Sequence, residues 1–411
     1  MNFKEKLRQL EGATEARRSD RVQNHDFEHL AEYLGGEILQ RRDEAFIIVR
    51  SEKPLTEKHG QINLNIGSRI SGETISTASK KTVNKDFDLT RAVFLDTETT
   101  GLAGGTGTYV FQLGVGYIRN QIFHVDQFVL PRLSDESWML EYLNQYFENR
   151  TGIISFNGKS FDVPLLQTRF IQNRTHSSLD MQQHFDLLHA ARRIWKDDFG
   201  DCRLGTLESR VLGFRRVGDI PGEQIPQIYM DYLRFGEYQP LKPVIEHNRL
   251  DIVSLLALVI KISELIHDSD KLAFQQKQRV AQLFSATKKH QDASNIYRQA
   301  RNEKAPSPYA QAEYLWEYGQ SLKRAKDFVA AEKVWLEMVD LPHRSVEAMI
   351  ELAKHFEHRL KDFKQALAFT ERAIHKIQIR TELAIRTAKD EMLLAELNHR
   401  KTRVEEKLNK L

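Results

Sequence analysis

In FLDTETTGL, residues 94–102, two carboxylates stand one residue apart at the end of an apolar run. Successive side chains on an extended strand alternate faces, so Asp96 and Glu98 project the same way. Like charges held side by side repel unless a cation lies between them. Magnesium and manganese are the natural occupants, because they take oxygen ligands and share them with phosphate. A solvated strand end with two surface acids is the competing reading, and later residues weigh against it. Asp162, in ISFNGKSFDVPLL, follows a second apolar strand and opens a helical pattern, which places it at the mouth of the same sheet. His247 and Asp251, in EHNRLD, lie four apart in a third apolar-periodic segment and so share one helix face. Each alone has an ordinary explanation, a helix N-terminal acid or a surface His–Asp pair. Together, in this order and these settings, they point to one cation-binding site.

The glycine-rich stretch after Glu98, GGTGTYVFQLG, is not a phosphate cradle. It contains no lysine and leads into a strand pattern, whereas a P-loop closes with Lys-Ser or Lys-Thr at a helix mouth. A dinucleotide fingerprint fails likewise, since its glycines open a helix.

The elements that must position these residues follow from periodicity. RAVFLDTE reads as a buried strand, and VFQLGVGYI and QIFHVDQFVL as two more joined at Arg119–Asn120. Ser134 is the expected N-cap of a helix over DESWMLEYLNQYFEN. GIISFN returns as a strand, SFDVPLLQTRFIQN as a helix, and LKPVIEHNRLDIVSLLALVIKISELI as a long helix whose proline sits near its start. Before them, residues 1–88 contain strand-like runs in AFIIVRSE and QINLNIG. They end in SGETISTASKKTVNKDFD, whose composition suggests an exposed loop or linker.

After residue 268 the pattern is helical. KKHQDASNIYRQA, RAKDFVAAEKVWLEM and RLKDFKQALAFTERA align Ala293, Ala331 and Ala366, with Tyr297, Trp335 and Thr370 four residues on and Ala300, Met338 and Ala373 seven on. Small residues at fixed positions let paired helices approach, and the spacing is close to the ~34-residue tetratricopeptide period. The expected division is an N-terminal region, 1–88, an α/β domain, 89–268, and an all-α helical domain, 269–411.

Composition bounds the rest. At 41% hydrophobic and 28% charged residues the chain has a globular balance, and a net charge of +3 does not by itself argue for a nucleic-acid partner. One cysteine, Cys202, precludes an internal disulfide and a thiolate zinc site, which favours a reducing compartment. The start MNFKEKLRQLEG has no apolar signal-peptide core. No apolar run approaches the ~20 residues of a membrane crossing. A cytoplasmic protein is expected.

Asp-x-Glu on a strand, Asn-x-x-x-Phe-Asp after a later strand, and a final helical Asp preceded by an imidazole resemble the three motifs of the DEDD 3'-5' exonuclease superfamily. LDTETTGLAGGTGTYVFQLG, CRLGTLESRVLGF, DIPGEQIPQIYMDYLRFG and HNRLDIVSLLAL are similar more narrowly to the YprB-type ribonuclease H-like proteins. The resemblance implies a ribonuclease H-like mixed sheet flanked by helices, followed by a tetratricopeptide-like region. It also implies metal-dependent phosphodiester hydrolysis at the 3' end of single-stranded DNA or RNA, with two Mg2+ or Mn2+ ions held by Asp96, Glu98, Asp162 and Asp251. His247 would be the proton acceptor. Superfamily members with histidine place it five residues before the last Asp and those with tyrosine four; here histidine stands at the tyrosine's spacing. Thr99, Gly101, Leu102, Asn157 and Phe161 would bind the terminal nucleotide, with Leu102 wedged against its base. Asp186 is expected to be a helix cap, and Arg192, Arg193, Arg215 and Arg216 are candidate phosphate contacts. The helical region would meet a protein partner. The competing functions are a nucleic-acid-binding scaffold on an inactive nuclease fold and a structure-specific endonuclease.

Overall fold

The structure, a computed structural model, describes residues 20–65, 70–101, 107–179, 182–301, 303–382 and 388–410. The chain forms two compact units, Met1–His267 and Asp268–Leu411. Among the described residues no helix is long and apolar enough to cross a membrane.

The first unit is built on a mixed sheet of β1 (Glu37–Arg41), β2 (Glu44–Pro54), β5 (Ala92–Thr99), β6 (Val110–Arg119), β7 (Ile122–Val129), β8 (Gly152–Ser155) and β9 (Gln183–Asp186), with a separate hairpin of β3 (Lys58–His59) and β4 (Ile62–Asn63). The order is β1-β2-β7-β6-β5-β8-β9. All neighbours from β1 to β5 are antiparallel, while β8 runs parallel to β5 and β9 parallel to β8. The β6–β7 turn has positive φ at Asn120 and Gln121, the backbone twist that joins two right-twisted strands through two residues. The strands expected over β5–β8 and the helices Glu136–Leu143, Asp162–Gln172 and Leu241–His267 are all present. The N-terminal region contributes β1 and β2, so the sheet runs across the boundary expected at residue 88.

Two local expectations are corrected. SGETISTASKKTVNKDFD is not an exposed linker: Ser71 accepts from the amide of Thr74 and caps a helix, Gly72–Ala78, which buries Ile75 and Ala78, with Val83 and Phe87 buried beyond it. Four apolar residues spaced among polar ones are enough to anchor it. Ser134 is not an N-cap either. It lies within a 3-10 turn, Leu133–Asp135, and donates to the Asp135 carboxylate, which is itself engaged by Arg132 and by the amide of Ala45.

Both faces of the sheet are covered, which is why its central strands are apolar throughout. Ala92 to Leu95 are fully buried. Val93 and Leu95 meet Met139, Leu140, Leu166 and Phe170 from the helices Glu136–Leu143 and Asp162–Gln172. Arg169 and Glu136 lock those helices together through a buried bidentate pair at 2.5–3.0 Å, with the guanidinium 3.8 Å from the Tyr109 ring centre. The long helix Leu241–His267 crosses the opposite face over β5, β6 and β7. Gly114 and Gly116 make that crossing possible. A Cβ on Gly114 would stand 2.2 Å from Asn248 Oδ1, and one on Gly116 2.6 Å from Ile252 Cγ2.

The second unit is helical: Phe274–Ala286, His290–Ala300, Pro308–Arg324, Phe328–Met338, Ser345–His355, Phe363–Glu382 and Ala388–Leu408. Successive helices pack in pairs. The repeat positions Ala293, Ala331 and Ala366, with Tyr297, Trp335 and Thr370, are all buried. Gly319 admits the Trp335 indole, whose Nε1 would lie 2.5 Å from a Cβ there.

Candidate metal centre

Strand β5 changes character at Asp96, where the fully buried run ends and Asp96 to Thr99 become partly exposed. The carboxylates therefore emerge at the carboxyl end of a central strand, where ligands collect in open α/β sheets. Asp96 and Glu98 lie on the face crossed by the helix Leu241–His267. That helix contributes Asn248, whose Nδ2 donates to Asp96 Oδ2 at 2.8 Å and whose Oδ1 accepts from Gln127 Nε2 at 3.0 Å. Asp162 reaches the site from the other face: Thr97, pointing away from Asp96, donates its hydroxyl to Asp162 Oδ1.

The loop before Asp162 is tied down by Asp186, which accepts from the amides of Asn157 at 2.9 Å and Lys159 at 3.1 Å while capping the helix Leu187–Phe199 through Leu188. The cap expected of Asp186 is present, and the same carboxylate also holds the site loop. Asn157 sits at φ 67°, a left-handed turn that asparagine tolerates better than most residues.

His247 and Asp251 stand one turn apart, with Nε2 3.4 Å from Asp251 Oδ2. One ligand atom each from Glu98, His247 and Asp251 can lie within 4.8 Å of one another. Asp96 and Asp162 are outside that closest set but near enough to act on it electrostatically. Burial pushes the Asp96 carboxyl well up, and the charges of Asp251, Asp162 and Glu98 add to this. Glu98 is raised well by burial and then by Asp251 and Asp162. Asp162 is lifted to about 6 by burial, against the opposing bond from Thr97. Asp251 is raised by burial, with Arg216 and His247 holding it down. The donor set fits a divalent cation: oxygen and imidazole ligands within ion-binding reach, and negative charge that the surrounding protein leaves under-compensated.

Arg216, one of four candidate phosphate contacts, is built into the site. It forms a bidentate pair with Glu208 at 2.7 and 2.8 Å and a tight ion pair with Asp251. Glu208 is buried and accepts from Ser254 at 2.5 Å, and Ser254 Oγ lies 2.8 Å from His59 Nε2. The β3–β4 hairpin thus braces the site. Gln61 also donates to the carbonyl of Leu212 at 2.7 Å, and Gly60 passes so close that a Cβ would meet that oxygen at 2.3 Å. Arg193 instead binds the carbonyl of Ala78, and Arg192 is exposed. Arg215, Arg210, Phe214 and Leu204 line a cavity of about 970 Å³ bordered by Arg216, His247 and Asp251.

Thr99 donates its hydroxyl to the carbonyl of Gly101 at 2.9 Å. Phe161, directly before Asp162, is 55% exposed, unusual for a phenylalanine. Leu102 lies outside the described residues. Sequence reasoning missed Asn248, Glu208, Asp219 and the importance of Arg216. The glycine pair at 114 and 116 was the available signal for a helix pressed on β6.

Two comparisons with known proteins bear on this arrangement. The profile of the RNase H superfamily matches residues 93–263. The chain is also 31% identical over 340 residues to the uncharacterized protein YprB of Bacillus subtilis (strain 168), covering 81% of each chain.

Proposed function

The chain belongs to the family of RNase H superfamily proteins that includes YprB of Bacillus subtilis, and from that premise we propose that it is a metal-dependent 3'-5' exonuclease acting on single-stranded DNA or RNA. The observation that carries this reading is the meeting of Asp96, Glu98, Asp162 and Asp251, brought from three distant segments to the carboxyl end of β5, with raised carboxyl pKa values that a divalent ion would relieve. Bound there, two Mg2+ or Mn2+ ions would supply water activation and stabilisation of the departing oxygen. The chain's own residues do the positioning. Asn248 orients Asp96, Thr97 orients Asp162, and Arg216 holds Oδ1 of Asp251, leaving Oδ2 toward His247. His247 completes the site with one ring nitrogen directed at the acids.

The exposed Phe161 ring beside Asp162 supports a terminal-base platform, since an aromatic face stacks on any base. Thr99, Gly101 and Asn157 stand at the same end of the sheet. The chemistry belongs to residues 89–268, with residues 1–88 as its bracing extension. Residues 269–411 form a tetratricopeptide-like region for a protein partner, supported by the buried repeat positions. We place the protein in the cytoplasm with its nucleic-acid substrate.

The Asp251→Asn variant tests this reading. It should fold, bind single strands and lose manganese-dependent cleavage, and wild-type rates in that variant would overturn the assignment. One observation favours a second reading, a nucleic-acid-binding scaffold: Arg216 occupies an oxygen of Asp251 that a metal ion would use. Strand binding by the wild type with no metal-dependent shortening would support it.

A further inference from the structure

The resemblance casts His247 as a proton acceptor, yet its surroundings suit a different role. Nδ1 lies 2.8 Å from Asp219 Oδ1 and 3.3 Å from Arg216 Nη1. A carboxylate only accepts and a guanidinium only donates, so the two partners demand opposite states of this nitrogen. The shorter contact is with Asp219, and Arg216 has Glu208, Asp219 and Asp251 to receive its protons. Nδ1 is therefore the nitrogen that carries the hydrogen toward Asp219, and Nε2 is the ring nitrogen turned to the acids, the one that offers a lone pair when the imidazole is neutral.

Nε2 faces Asp251 Oδ2 at 3.4 Å, a separation at which one cation can take both atoms as neighbouring ligands. Glu98 offers an oxygen within the same 4.8 Å set. Asp251 presents Oδ2 to this space because Arg216 occupies Oδ1. An imidazole whose far nitrogen donates to a carboxylate is the usual setting of a metal-bound histidine, in which the carboxylate fixes the tautomer and the ring direction.

We infer that His247 is a metal ligand through Nε2, forming with Glu98 and Asp251 a mixed nitrogen–oxygen centre, with Asp219 as its positioning residue. This rests on the metal-dependent reading above. Magnesium prefers an all-oxygen shell, whereas an imidazole nitrogen suits transition ions, so the centre selects Mn2+ over Mg2+.

The test uses the full chain and Mn2+ as the probe. Pulsed electron paramagnetic resonance of the bound ion should show nitrogen coupling from one imidazole in the wild type. His247→Gln should lose that coupling while retaining weaker Mn2+ binding through the carboxylates, and its preference for Mn2+ over Mg2+ should shrink. Asp219→Asn should keep the coupling but bind Mn2+ ~10–100-fold more weakly. Bound Mn2+ without nitrogen coupling in the wild type, or unchanged Mn2+/Mg2+ selectivity in His247→Gln, overturns the ligand role and leaves the metal-dependent reading standing. A wild type that binds no Mn2+ overturns both.

Discussion

Neutralising a site acid should make the metal-free protein more stable. Asp162 is the clearest case, because it is 9% exposed and its carboxyl is lifted from 3.8 to about 6. The folded state binds the proton more tightly than the unfolded chain, so this group costs stability as pH rises between those values. The cost is absent well below 3.8 and complete above about 7. The linkage relation gives a penalty on the order of 1–2 kcal/mol at pH 5 and about twice that at pH 7.5 for this shift. Asp162→Asn keeps an oxygen for the Thr97 hydroxyl and gives up the helix-dipole attraction of a charged N-terminal residue, about 0.3–1 kcal/mol. In a chelator, the variant should therefore melt several degrees above the wild type at pH 7.5, at ~2–4 °C per kcal/mol. The gap should narrow by about half at pH 5. Adding Mn2+ should raise the wild type and close the gap. Thermal denaturation at both pH values, with and without the ion, measures all of this. A variant less stable than the wild type at pH 7.5, or a gap independent of pH, would refute the claim that uncompensated charge at this site opposes folding.

Other outcomes follow from the same contacts. His184, held down to about 4 by burial, stays neutral in the fold, so its contribution to stability is present above about 6.5 and lost as pH falls through 4. His184→Gln should flatten the acid limb of a stability–pH profile over that window. Gly114→Ala would drive a methyl into Asn248 and should cost ~1–3 kcal/mol in chemical denaturation while weakening Mn2+ binding, because the displaced helix carries His247 and Asp251. In the helical unit, buried Glu357 accepts from Arg403 at 2.9 Å and Lys407 at 2.8 Å and pairs tightly with Arg400. Glu357→Ala should lower hydrogen-exchange protection of the helix Ala388–Leu408 by ~1–3 kcal/mol.

What could be read from the sequence was whatever local pattern encodes. β5 announced itself by an unbroken apolar run ending in acids, and the long helix by its periodicity and its proline near the start. The aligned alanines marked close helix pairs before any contact was visible. What escaped reading depends on partners distant in the chain. Ser134 looked like a cap from its neighbours alone, but Asp135 there answers to Arg132 and Ala45. The stretch after Ser71 looked like a linker because its few apolar residues are separated by Ser, Thr and Lys. Arg216 looked like a phosphate contact rather than a partner of the site acids, since Glu208, eight residues before it, is oriented by Ser254 and His59 from two other segments. Asn248 sat inside the quoted motif, yet its role needs Gly114 beneath it and Asp96 beside it.

The central claim is that these acids cleave a single strand from its 3' end. A 5'-labelled linear single strand and a covalently closed circular one, incubated with the full chain and Mn2+, test it most directly. The account predicts a ladder of progressively shortened linear products, an intact circle, and neither change with Asp96→Asn. Cutting of the circle, or shortening that persists in Asp96→Asn, would contradict it.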